Sequence, residues 1–213
     1  VGHLSIDVER DQIDMLSLSA HKFHGPKGVG ALDCRKGLPL LPSLEGGAQE
    51  RNRRAGTENL AGIAGLAAAL EEANANLERN AAQISALRDK LIDGLLQIPH
   101  ARLNGDRERR LPGNVSFCFE GIEGESLLLM LDEKGIAASS GSACTSGSLD
   151  PSHVLLALGR PHEVAHGSLR LTLSGDNTPE QIEHILREVP EVVAYLRGMS
   201  PVWDELERGQ RPH

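Results

Sequence analysis

The chain has 213 residues, 39% apolar and 24% charged, a balance ordinary for a folded globular protein with one sizeable core or two small ones. Its net charge of −8, without a basic block, argues against nucleic acid or an anionic membrane surface as a partner, and no apolar run is long enough to span a bilayer. Cys34, Cys118 and Cys144 have no short spacing and fit neither a disulfide framework nor a zinc knuckle, so a reducing, cytoplasmic setting is expected.

Val1 to Val8 reads as loop-like structure inside a folded segment, with no signal peptide. Ile13 to Leu18 is an apolar run of strand length. It leads into Ser19-Ala-His-Lys-Phe-His-Gly-Pro-Lys-Gly-Val-Gly30, which the glycines and Pro26 turn into a tight loop. Partial burial of Lys22 there would favour the neutral amine that attacks a carbonyl. Ser19 and His21 supply donors suited to a phosphate oxygen, and the glycines let backbone amides approach an anion. Aldehyde capture beside phosphate capture is the chemistry of pyridoxal phosphate. Taken by itself, the same lysine reads equally as a solvated surface residue, and the loop lacks the nucleotide pattern G-x-x-x-x-G-K-[ST].

Val29 to Arg35 reads as a second strand, and Leu38 to Pro42 breaks regular structure twice. Glu45 to Thr57, rich in glycine and arginine, matches neither strand nor helix. Thr57 then precedes a helical spacing of apolar residues from Leu60 to Leu95, expected as one or two helices packed on a core rather than a coiled coil. Thr57 is the expected N-cap, and the helix end would favour an anion near Gly56-Thr57; a plain cap explains the residue as well.

After Pro99 the pattern turns strand-like, over Ala101 to Leu103 and Gly113 to Phe119. Val115, Phe117 and Phe119 share one face of the latter, with Cys118 on the other as a packing residue. Glu125 to Lys134 is an expected helix ending at Gly135, and Ile136 to Ala138 an expected strand. It feeds Ser139-Ser-Gly-Ser-Ala-Cys-Thr-Ser-Gly-Ser148, a flexible run around Cys144 in which a thiol can ionise and move, or else a linker. Pro151 to Gly159 should be a helix capped by Asp150 with Pro151 first. Ser168 to Leu173 alternates as a strand, and Thr178 to Arg197 reads as a helix interrupted at Pro190. Arg170 is either exposed on that strand's polar face or partly buried and in need of a carboxylate, which its bidentate fork suits. Among the nine histidines no H-x-x-x-H pair with a helical setting is recognised, so no metal site is expected on them. Helices alternating with strands indicate α/β or α+β layers.

The two stretches around Lys22 and Cys144 together resemble the cysteine desulfurases of the NifS/IscS type, pyridoxal-phosphate enzymes of the class V aminotransferase family. The long loop around Cys144 is more similar to the NifS/IscS branch than to the SufS branch. The resemblance runs from Val1 to about Pro201. It implies an α/β chain of the PLP-dependent transferase fold type I, with residues 1–58 from the large cofactor domain, 59–98 a connecting helix region, and 99–213 the small C-terminal α+β domain. It implies Lys22 as the Schiff-base lysine and Cys144 as the persulfide-forming cysteine. Ser19 and His21 would be cofactor contacts and Arg170 the arginine for the substrate carboxylate. Thr57 would reach the phosphate of the partner subunit's cofactor in a homodimer. The expected substrate is L-cysteine and the product L-alanine, with sulfur passed to an iron–sulfur scaffold or another acceptor. Cys144 is the one residue left as a candidate ligand, for a nascent iron–sulfur cluster. The family also carries an N-terminal half, with the histidine that stacks on the ring and the aspartate at its pyridine nitrogen. A complementary N-terminal chain is therefore an expected partner, and an inactive dimerisation and scaffold-binding module is the alternative. A thiol redox protein is disfavoured, because no C-x-x-C motif accompanies Cys144.

Overall fold

Leucine and serine alternate from Leu16 to Ser19, and Met15–Ser19 and Gly30–Cys34 form the antiparallel hairpin β1–β2, with Ser19 opposite Gly30 and Met15 opposite Cys34. The computed structural model describes residues 1–140 and 151–207, so Cys144 and Asp150 lie outside the described residues. The chain divides into two units, Val1–Arg79 and Asn80–His213.

In the first unit the hairpin is joined by a 3-10 turn, η1, over Ala20–Phe23. His24 closes the turn in the left-handed conformation, φ 66°, while Gly25 N donates to Ala20 O at 2.9 Å and Ala20 N to Val29 O at 3.0 Å. Ala20 and Phe23 are buried against Leu66 of helix α2, Leu60–Ala75. The Gly-rich stretch after the hairpin forms one turn, α1, over Gln49–Asn52, in which Glu50 and Arg51 are left-handed, φ 49° and 56°. The N-cap of α2 is Asn59, whose side chain accepts from Gly62 N at 3.0 Å. Thr57, expected in that role, lies ahead of the helix and is exposed. Both residue types cap well, and Asn59 is the one with Gly62 N three residues ahead of it.

Asn76 ends α2, and α3 runs over Leu77–Leu95. The long apolar pattern is thus carried by two helices, one of the two arrangements expected. From Asn80 onward α3 belongs to the second unit, where its buried stripe of Ile84, Leu87, Leu91, Ile92 and Leu95 faces a three-stranded antiparallel sheet of order β3–β4–β5, with β3 Ala101–Leu103, β4 Asn114–Phe119 and β5 Ser168–Thr172. Pleating sends Val115, Phe117, Phe119, Leu169 and Leu171 into one core with α3, α4 (Gly124–Glu133) and α7 (Pro179–Gly198). Each large side chain buried there contributes about 1.5–3 kcal/mol.

Helix α7 opens with a full capping box, Thr178 and Gln181 bonding each other's backbone, and it continues through Pro190. The expected interruption is absent: Val189, Val192 and Val193 on either side of the proline are fully packed, which offsets the missing backbone bond. Ile136 to Ala138 forms no strand. Instead Ser139 alone bridges Arg170, donating to its carbonyl at 3.1 Å and accepting from its amide at 2.6 Å. The helix expected from Pro151 is shorter, α5 over His153–Ala157, with Ser152 as N-cap position and Pro151 outside it. Two further helices were not expected, α6 over His162–His166 and α8 over Pro201–Glu207. Among the described residues no helix is long and apolar enough to cross a membrane.

Candidate active site

The turn η1 carries Ser19, His21 and Lys22 together at the end of β1, on the side away from the buried Ala20 and Phe23. A 3-10 turn brings this about because consecutive side chains diverge by about a third of a revolution. Two anchor on α2, and the others project outward. Lys22, expected to be partly buried, is exposed, as are Ser19 and His21. No part of the described first unit covers that side of the turn. Ser19 stands at the N-cap position of η1, yet its hydroxyl makes no cap bond. The turn leaves no room for larger residues: a Cβ at Gly25 would meet the Ala20 side chain at 2.9 Å, and one at Gly30 the Leu18 carbonyl at 2.6 Å. An uncommitted hydroxyl, an imidazole and an amine on one tight exposed turn fit a phosphate-bearing aldehyde such as pyridoxal phosphate. Thr57 belongs to the same unit.

Arg170 belongs to the second unit. It lies opposite Ser116 in the β4–β5 register, on the face turned away from the core, beside a cavity of about 370 Å³. Asn104, Asn114, His153 and Leu155 contribute to the same wall. The guanidinium groups of Arg110, Arg160 and Arg170 in this region have different partners. Arg110 donates to the carbonyls of Asp106 (2.7 Å), Asn114 (3.1 Å) and Asn104 (2.7 Å), which fixes the loop between β3 and β4. Burial, then Arg88 and Arg107, push its pKa below the ordinary value. Arg160 donates to the Asn104 side chain at 2.9 Å and to Leu103 O at 2.5 Å. Arg170, by contrast, has a buried Nε with no hydrogen-bond partner among the described residues.

A buried charged donor left unpaired is costly, and a bound carboxylate would satisfy it. Of the two readings that the sequence left for Arg170, partial burial is the observed one. The bridge to Ser139 fixes where the chain stands shortly before the segment that carries Cys144. Asn104, Ser116 and His153 were not expected at this wall. The pairing of β4 with β5 brings Ser116 opposite Arg170, while Asn104 comes from the end of β3 and His153 from α5, and no local motif marks them. Cys118, expected as a packing residue, is fully buried with Leu155 and Ala165 and accepts from Asn104 Nδ2 at 3.3 Å.

Known proteins resemble this chain over nearly its whole length. A cysteine desulfurase IscS of Methanosarcina thermophila is 58% identical over 202 residues, 95% of this chain and 50% of its own length. The cysteine desulfurase NifS of Azotobacter vinelandii is 53% identical over 204 residues, 95% of this chain and 51% of its own. A solved NifS-like protein superimposes with a TM-score of 0.82 at 37% identity, covering 92% of this chain and 50% of its own. The fold is thus that of the NifS-like proteins, the PLP-dependent transferase fold type I. The chain spans about half the length of the curated relatives it matches. Residues 1–185 match the family described as Aminotransferase class-V, and the chain belongs to that family.

Proposed function

We propose that this chain supplies the lysine, arginine and cysteine of a cysteine desulfurase, which takes sulfur from L-cysteine, leaves L-alanine and loads a persulfide on Cys144 for iron–sulfur cluster assembly. The observation that carries the reading is the buried, unpartnered Arg170 Nε beside a cavity with room for a small amino acid. Its fork receives the substrate carboxylate and so fixes which way the thiol points. Identity above 50% to cysteine desulfurases over nearly the whole chain supports the enzyme over an inactive binding module.

Pyridoxal phosphate, when bound, supplies the electron sink for bond cleavage in the substrate. Ser19 and His21 would donate to its phosphate oxygens, and Lys22 Nζ would hold its aldehyde end. Released from that task, the Lys22 amine is the base that carries a proton at the substrate α-carbon. Thr57 reaches the phosphate bound by the partner subunit of a homodimer. The Cys144 thiolate attacks the substrate sulfur: an S–S bond forms, the carbon–sulfur bond breaks, and the electron pair stays on the carbon, which takes up a proton to become alanine. An iron–sulfur scaffold or another acceptor protein then removes the sulfur.

The test uses the full-length protein with L-cysteine, following alanine release and persulfide by mass spectrometry. Cys144→Ser is expected to bind L-cysteine and form no persulfide. Arg170→Lys loses bidentate geometry, and with a charged hydrogen bond worth about 1.5–3 kcal/mol its KM for L-cysteine should rise about tenfold or more. Normal desulfuration by the serine variant would sink the assignment of Cys144, and an unchanged KM in the lysine variant that of Arg170.

A further inference from the structure

Helix α6 begins directly after Pro161 and consists of His162-Glu163-Val164-Ala165-His166. The expectation that no H-x-x-x-H pair lies in a helix is overturned here. Four residues apart in a helix, the two imidazoles lie on one face, one turn above the other. Their ring centroids are 4.6 Å apart and the rings are inclined at 68°. Ala165 anchors the helix from beneath, fully buried with Cys118 and Leu155, whereas His162 is exposed and His166 half-buried. Neither ring forms a hydrogen bond or ion pair among the described residues, so the nitrogen lone pairs are uncommitted. Nothing in the desulfurase reaction uses them.

Imidazole nitrogens are ligands that zinc, nickel and copper ions prefer. Among the described residues no group of three or more histidines, cysteines, aspartates or glutamates is placed to hold a metal. The H-E-x-x-H spelling therefore lacks the third ligand of a hydrolytic zinc site. We propose that His162 and His166 form a two-imidazole site for a divalent ion of the zinc, nickel and copper class, with water in the remaining positions. The ion ties the first residue of α6 to its last. That matters for a five-residue helix whose N-cap position, Pro161, provides no side-chain cap. It also leaves open coordination positions on the ion, available to an exogenous thiol or carboxylate.

The test is made on the full-length protein in a Cys144→Ser background, which removes a competing thiolate. Calorimetric titration with Zn²⁺ and pulsed EPR with Cu²⁺ are compared with and without His162→Gln. This substitution alters an exposed side chain and leaves the helix anchor in place. The expected result is a site whose Zn²⁺ affinity falls at least tenfold in the variant, and a Cu²⁺ signal coupled to two imidazole nitrogens that drops to one. His166→Gln should give the same loss. If both variants bind Zn²⁺ as the parent does, or if the copper spectrum is unchanged by either substitution, the site does not exist.

Discussion

Cys118 and Arg170 stand on the same face of the β4–β5 sheet, two residues apart along the register, and burial has opposite consequences for them. The Cys118 thiol is fully enclosed, and the loss of solvent pushes its pKa up from the ordinary value, against the smaller downward pull of Asn104. A thiol held protonated in this way is a poor nucleophile. At Arg170 burial leaves a guanidinium donor unpaired, which makes a place for an anion. The expected outcome for Cys118 is that iodoacetamide at neutral pH leaves it unmodified in the folded protein and alkylates it only after denaturation, as peptide mass spectrometry would report. Alkylation of native protein at the rate of a free thiol would contradict the packing described here. Lys22 shows the limit of arguing burial from neighbours in sequence: its exposure depends on which other segments cover the turn, and the loop composition says nothing of that.

Among the elements, β4, β5, α4 and α7 were legible because each repeats its pattern often enough to be distinguished: alternation through Val115, Phe117 and Phe119, or helical spacing from Ile182 to Val193. Helix α6 was not, since five residues hold little more than one turn and Ala165 is its one fully buried residue, with Val164 packed beside it. The cavity at Arg170 was illegible for a different reason, as its wall is assembled from residues far apart in the chain. Helix α2 gives a case in which propensity and packing disagree. Gly65 lies mid-helix, where alanine would ordinarily stabilise by about 1 kcal/mol. A Cβ at that position would stand 2.6 Å from Pro26 Cγ, and Pro26 is a rigid ring in the loop that closes the lysine turn. Gly65→Ala should therefore push that loop off α2. In the full-length protein it is expected to weaken retention of pyridoxal phosphate, read from the cofactor's absorbance during dialysis, although helix propensity rises. Retention equal to the parent would show that the contact is easily relieved.

For the whole chain the decisive quantity is how unevenly apolar burial is distributed between the two units. In the first, the buried cluster consists of Ala20, Phe23 and Leu66, and the hairpin leaves Met15 and Leu32 largely exposed. In the second, one continuous cluster runs through α3, α4, α7 and the sheet, with Phe117, Leu91, Leu127 and Ile182 fully enclosed. A two-stranded hairpin is marginal without a partner layer, whereas a sheet backed by three helices unfolds only with its core. In the isolated 213-residue chain, amides of β1 and β2 should exchange with deuterium at least about a hundredfold faster than those of β4 and the middle of α7, since local opening in the first unit needs little apolar exposure. Hydrogen-exchange mass spectrometry would resolve the two sets peptide by peptide. Adding a chain equivalent to the half of the curated relatives that this match leaves uncovered is expected to slow exchange in β1 and β2 while leaving β4 and α7 unchanged. Equal protection of both units in the isolated chain would mean that the first is held by contacts other than its small core.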